Sequence, residues 1–121
     1  MGRRSRRRRQ EGAPEPAATS DYTADDGSVL TLRDQLSAGT LKKLGDLDAK
    51  PAADAEDRWQ RRVEFLFERL AVRWEIAGTE PITRQKELLA RFRFASVAER
   101  QWIRGVLREH LAEHFPDMEA P

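Results

Sequence analysis

Between Asp54 and Ala77 the apolar positions Trp59, Val63, Leu66, Phe67, Leu70, Trp74 and Ala77 recur at steps of three and four, with charged residues filling most of the gaps. On a helix advancing about 100° per residue these positions form one stripe, so the spacing predicts a central helix over the whole stretch, about 36 Å long. Such a stripe is stable in water only when other helices lie along it.

The remaining apolar positions suggest those helices. Thr31 followed by Asp34 has the form of a capping box, and Val29, Leu32 and Leu36 share a helical face, which predicts about two turns of helix. Gly39 is expected to break it. Thr40 then opens another turn carrying Leu41 and Leu44, stopped by Gly45, so the pair reads as a short helical hairpin over the main core. Asp46 to Asp57 forms an acidic connection, with Asp54 or its predecessors capping the central helix and Gly78 ending it. Pro81 suits the first turn of a third helix that carries Leu88, Leu89 and Phe92 inward and ends near Phe94. Ser96 and Glu99 form a capping box for a fourth helix, with Ile103, Leu107, Leu111 and His114 on one face and Pro116 at its end. Alternation of the strand kind is confined to Arg91–Phe94. The expected fold is therefore all-α: a small helical bundle with a short N-terminal hairpin, one long central helix and two further helices.

Charge changes the picture at one end. The chain has 121 residues and a formal net charge of +1, yet six arginines, Arg3, Arg4, Arg6, Arg7, Arg8 and Arg9, lie within seven positions. From Val29 onward 16 basic residues face 16 acidic ones, so the body is neutral and the concentrated positive charge belongs to an arm. Residues 1–28, with Pro14, Pro16 and the turn-like Asp25-Asp26-Gly27, carry too little apolar surface to offset an ordering cost of about 1–2 kcal/mol per residue. The expected organisation is a disordered tail over 1–28, a helical domain over 29–116 and a loose end over 117–121. Cysteine is absent, which excludes disulfides, thiolate metal sites and cysteine nucleophiles. No signal peptide is expected, because Gln10–Ala18 is polar and proline-bearing where an apolar run is needed, and no uninterrupted apolar run exceeds three residues. A cytoplasmic protein without a membrane partner is the expectation.

Three surfaces and one motif could carry function. The arm, through Arg3, Arg4, Arg6, Arg7, Arg8 and Arg9, can grip phosphate with planar guanidinium forks. A second basic set, Arg84, Lys86, Arg91, Arg93, Arg100 and Arg104, is interleaved with Phe92 and Phe94, an arrangement suited to stacking on unpaired bases. The same arginines could instead face the acidic stripe Asp57, Glu64, Glu68 and Glu75 of the central helix. On that helix Phe65, Val72 and Ile76 form a second apolar face, to be covered by the leucines of the early hairpin, by a second copy, or by a protein partner. His110-Leu111-Ala112-Glu113-His114 matches the short H-x-x-E-H motif of inverted zinc peptidases, but so near the end of the chain a downstream third ligand has little room, and the pair reads as helix-end histidines. No Walker loop, dinucleotide turn or nucleophile elbow is present. The sequence therefore suggests a non-enzymatic accessory or adaptor protein, without metal, cofactor or small-molecule substrate, that associates with RNA or a ribonucleoprotein through its arm and basic surface. The alternative is a helical protein-interaction or dimerisation module with an incidental basic tail.

Overall fold

In the computed structural model, residues 18–51 and 54–118 are described. The first described elements are a hairpin of β1 (Thr19–Thr23) and β2 (Val29–Arg33), paired antiparallel with Ser20 opposite Leu32 and Tyr22 opposite Leu30. Its connection is closed by the Ala24 N–H on the Ser28 carbonyl at 2.8 Å and by the Asp26 carboxylate, which accepts from the Ser28 N–H at 2.9 Å. Gly27 sits at φ +92°, where a Cβ would be strained. Helix α1 (Ala38–Asp48) starts on Ser37, whose Oγ accepts from the Thr40 N–H. Helix α2 (Ala55–Leu70) starts on Asp54, whose carboxylate accepts from the Asp57 N–H at 2.8 Å. Strand β3 (Ala71–Glu75) follows without a loop and pairs antiparallel with β2, giving the sheet order β1-β2-β3. Helices α3 (Gln85–Arg93) and α4 (Val97–His114) complete the described chain, and α4 opens on the full Ser96–Glu99 capping box.

The protein is thus mixed α/β, and the expectation of an all-α bundle is overturned by the three-stranded sheet. The central helix stops at Leu70. Leu70, Trp74 and Ala77 keep a helical spacing by coincidence, because Trp74 is also a core-facing position of a short strand whose Val72 and Trp74 favour extended backbone. The helix expected around Thr31 is β2, in which Leu30 and Leu32 face the core while Thr31, also buried, donates to Asp21 across the hairpin; the apolar-polar alternation of Leu30–Arg33 is only four residues long and competes with the helical spacing of Val29, Leu32 and Leu36. Gly39 and Gly45 both lie inside α1, so the two-piece helical hairpin is one helix. Gly78, at φ +83°, turns the chain after β3 instead of ending a helix. Strand β1 lies ahead of Val29, inside the stretch expected to be a disordered tail over 1–28. The arginine run of that tail, Arg3, Arg4, Arg6, Arg7, Arg8 and Arg9, lies outside the described residues, as do residues 119–121. Toward the C-terminus, Met118 packs partly buried against the core.

Leu30, Leu32 and Trp74 project from one face of the sheet into a core completed by Leu44 of α1, Val63, Leu66, Phe67 and Leu70 of α2, Leu88 and Phe92 of α3, and Ile103, Leu107 and Leu111 of α4. Phe67 stacks on Phe92 with centroids 4.7 Å apart and meets the edge of Trp74 at 5.8 Å. Burying each such side chain contributes about 1.5–3 kcal/mol, so these residues dominate stability. Thr31 pairs with Arg73 while Leu32 pairs with Ala71, so Val72 is the extra residue of a bulge. The outer edge of β3 is closed by Ile82, which exchanges both backbone hydrogen bonds with Trp74 at 2.9 Å. Arg62, 7% exposed, ion-pairs with Asp48 and ties α1 to α2. Among the described residues no helix is long and apolar enough to cross a membrane.

Candidate nucleic-acid interface

At the end of α3, two phenylalanines two positions apart have opposite surroundings. Phe92 is on the core side of α3 at 3% exposure, whereas Phe94, the C-cap residue, is 87% exposed. Val97, in the first turn of α4, is 72% exposed. Around this apolar knob the arginines are held by specific contacts. Arg93 pairs with Glu64 of α2 at 2.8 Å, an interaction that holds its guanidinium still more firmly protonated. Arg91 pairs with Glu99 at 2.6 Å and lies over the Trp74 ring. Burial works to raise the Glu99 pKa, but hydrogen bonds from Arg91 and from the Ser96 backbone, with the charge of Arg91, outweigh it and leave the carboxyl below its usual 4.5. Arg100 lies over Phe92 and donates to the Arg93 carbonyl at 2.7 Å, satisfying an acceptor at the end of α3. Arg104 lies on the face of Trp59 at 3.3 Å.

The basic positions expected to touch nucleic acid therefore divide. Arg3, Arg4, Arg6, Arg7, Arg8 and Arg9 precede the described residues, so the structure places none of them relative to the body. Of the six on the body, Arg84 and Lys86 are exposed at the start of α3. Arg91, Arg93, Arg100 and Arg104 are braced by carboxylates, a carbonyl or rings, which fixes their positions while spending part of their charge. Trp59, Phe92, Val97, Arg100 and Arg104 also line a cleft of about 270 Å³ between α2 and α4. Val97 and the Trp59–Arg104 stack were not singled out from the sequence. Trp59 read as part of the core stripe, and pairing across two helices leaves no local signal.

The second apolar face of the central helix does not exist as a helix face, because Val72 and Ile76 lie beyond the end of α2. Phe65 is half-buried beneath the Arg69 guanidinium at 5.2 Å, Val72 is half-buried in the bulge, and Ile76 packs partly buried against the core.

At the opposite end of α4, His110 and His114 turn toward the β1–β2 hairpin. His110 is fully buried, and its Nε2 lies 2.7 Å from the Arg33 carbonyl. A carbonyl only accepts, so Nε2 carries the proton; the Tyr22 hydroxyl, 2.8 Å from Nδ1, donates to the free lone pair. Burial lowers the His110 pKa and keeps the ring neutral, consistent with this tautomer. Burial likewise raises the Tyr22 hydroxyl to about 12, helped by nearby carboxylates. Ser20 Oγ donates to Asp34 Oδ1 at 2.7 Å, and His114 Nε2 lies 3.3 Å from Ser20 Oγ and 3.5 Å from Asp34 Oδ1. The hairpin is thereby clasped to the end of α4. Comparison with protein-family models, curated proteins and solved structures gives no match, so the chemistry of these surfaces is argued from their own geometry.

Proposed function

We propose that the protein is a non-enzymatic, cytoplasmic accessory protein that associates with RNA or a ribonucleoprotein. The arginine arm supplies salt-sensitive attraction, and the α3–α4 turn supplies a contact on the folded body. The observation that carries this reading is Phe94, 87% exposed and set beside the braced guanidinium of Arg93. An aromatic face presented to solvent beside cations suits stacking on an unpaired base, worth about 1–3 kcal/mol per base. Arg84 and Lys86, exposed one helix away, are the body's candidates for phosphate contacts.

Fluorescence anisotropy with a short single-stranded RNA and with duplex DNA, across a salt series, tests this. The full chain is compared with a full-length variant in which the six arm arginines are glutamine, and with Phe94→Ala. The reading expects single-stranded RNA to be preferred, the arm variant to lose most affinity and salt dependence, and Phe94→Ala to weaken RNA binding about fivefold or more. Equal binding by all three proteins would remove it.

A second reading has its own observation. Val97, 72% exposed beside Phe94, adds aliphatic surface that base stacking does not use, and together they form an apolar knob suited to a protein pocket. Val97→Asp separates the two readings, since it abolishes protein docking but only modestly changes RNA affinity.

A further inference from the structure

Asp34, His110 and His114 each offer one ligand atom, and these atoms lie within 4.8 Å of one another. The set was not visible in sequence, where the histidine pair had no third partner downstream. The fold brings one from upstream instead: Asp34 follows β2, and the antiparallel hairpin lays that end against the last turns of α4.

We propose that Asp34, His110 and His114 form a zinc-binding site that fastens the base of the hairpin to α4. The donor set of two imidazoles and one carboxylate is that of a zinc centre with a remaining open position. Two donors held about 2.0–2.1 Å from a tetrahedral zinc are about 3.3 Å apart, and His114 Nε2 and Asp34 Oδ1 already stand at 3.5 Å. The exposed Glu113 carboxylate, 3.3 Å from the same nitrogen, is available to complete the shell in place of water.

His110 gives up one hydrogen bond on binding, and its surroundings accommodate the change at either nitrogen. With Nδ1 on the metal, the Nε2 proton keeps the Arg33 carbonyl, the outer contact that commonly orients a ligating histidine. With Nε2 on the metal, the proton moves to Nδ1, where the Tyr22 oxygen can accept it. Ser20, which donates to Asp34 Oδ1, serves the carboxylate in the same outer role. The Asp34 N–H also holds the Ala18 carbonyl at 2.9 Å, which fixes the backbone of Asp34 against the start of the hairpin.

Isothermal titration of the full-length apoprotein with zinc, and cobalt(II) absorption in the visible, are the tests. The wild type is expected to bind one zinc, to rise in melting temperature and to give the intense visible bands of tetrahedral cobalt. His114→Ala and the isosteric Asp34→Asn spare the buried ring of His110, and both should weaken zinc binding about tenfold or more with a near-native far-UV circular dichroism spectrum. Should His114→Ala unfold, Asp34→Asn and the wild-type cobalt spectrum still decide. No zinc binding by the wild type, octahedral cobalt bands, or undiminished affinity in Asp34→Asn would overturn the assignment. In that case Asp34, His110 and His114 are a hydrogen-bonded clasp only.

Discussion

Phe92 and Phe94 stand two positions apart between arginines, and their surroundings assign them opposite work. Phe92 stacks on Phe67 beneath the Arg100 guanidinium, while Phe94 faces solvent. Replacing Phe92 by alanine should cost about 3–5 kcal/mol, because it leaves a cavity among packed rings. Phe94→Ala should stay within about 0.5 kcal/mol of the wild type. Urea denaturation measures both, and a large loss for Phe94→Ala would show that the ring is packed in solution. Glu99 gives a pH dependence with a definite sign. Its carboxyl is held below 4.5 in the folded protein, so it contributes stability above that value and loses the contribution as pH falls through the folded-state pKa. Denaturation of Glu99→Gln from pH 7 to pH 3 should therefore show a gap from wild type that narrows toward acid. Among these residues the sequence revealed the Ser96–Glu99 cap and the burial of Phe92, both consequences of local spacing. It did not reveal Arg91 on Glu99 or Arg104 on Trp59, which depend on where separate helices lie.

The hairpin is the element that sequence reasoning missed and that most alters the molecule. Its turn residues Asp25-Asp26-Gly27 were recognisable, but the flanking strands are five residues each, and the short alternation in β2 competes with the helical spacing of Val29, Leu32 and Leu36. Gly27 tests it directly. At φ +92°, Gly27→Ala should cost about 1–2 kcal/mol, although a Cβ there meets nothing within 4 Å. Gly45→Ala, inside α1 with equally open space, should instead stabilise by up to about 1 kcal/mol. Thermal denaturation of the two variants should give melting shifts of opposite sign. If both are stabilised, the turn conformation is wrong. The α2-to-β3 junction makes the same point about elements: Leu70 to Trp74 continues a helical period, yet β2 offers a backbone ladder that outweighs helix propensity across Ala71–Glu75.

For the whole molecule, the boundary between arm and body decides how binding should be dissected. A chain beginning at Val29 lacks β1 and with it Tyr22, whose hydroxyl caps buried His110, and Ser20, which bonds Asp34. It should unfold at lower urea concentration and less cooperatively than the intact protein. A chain beginning at Ala18 keeps the clasp and should be the more stable of the two truncations, and equal stability of the two would argue that β1 adds nothing to the body. If all six arm arginines engage single-strand phosphates, substituting them should reduce the slope of log affinity against log salt by about 4.

The sequence by itself determined what depends on neighbours along the chain: the caps on α2 and α4, the apolar stripe from Trp59 to Leu70 and the inward positions of α3. Tertiary structure decided what depends on chain returning from afar. It turned Ala71–Glu75 and Val29–Arg33 into strands, because each supplies the other's backbone partners; it buried some arginine charge against carboxylates and rings while leaving Phe94 in solvent. It also set Asp34 beside two histidines on a distant helix, since only a closed core brings together residues that share no local period.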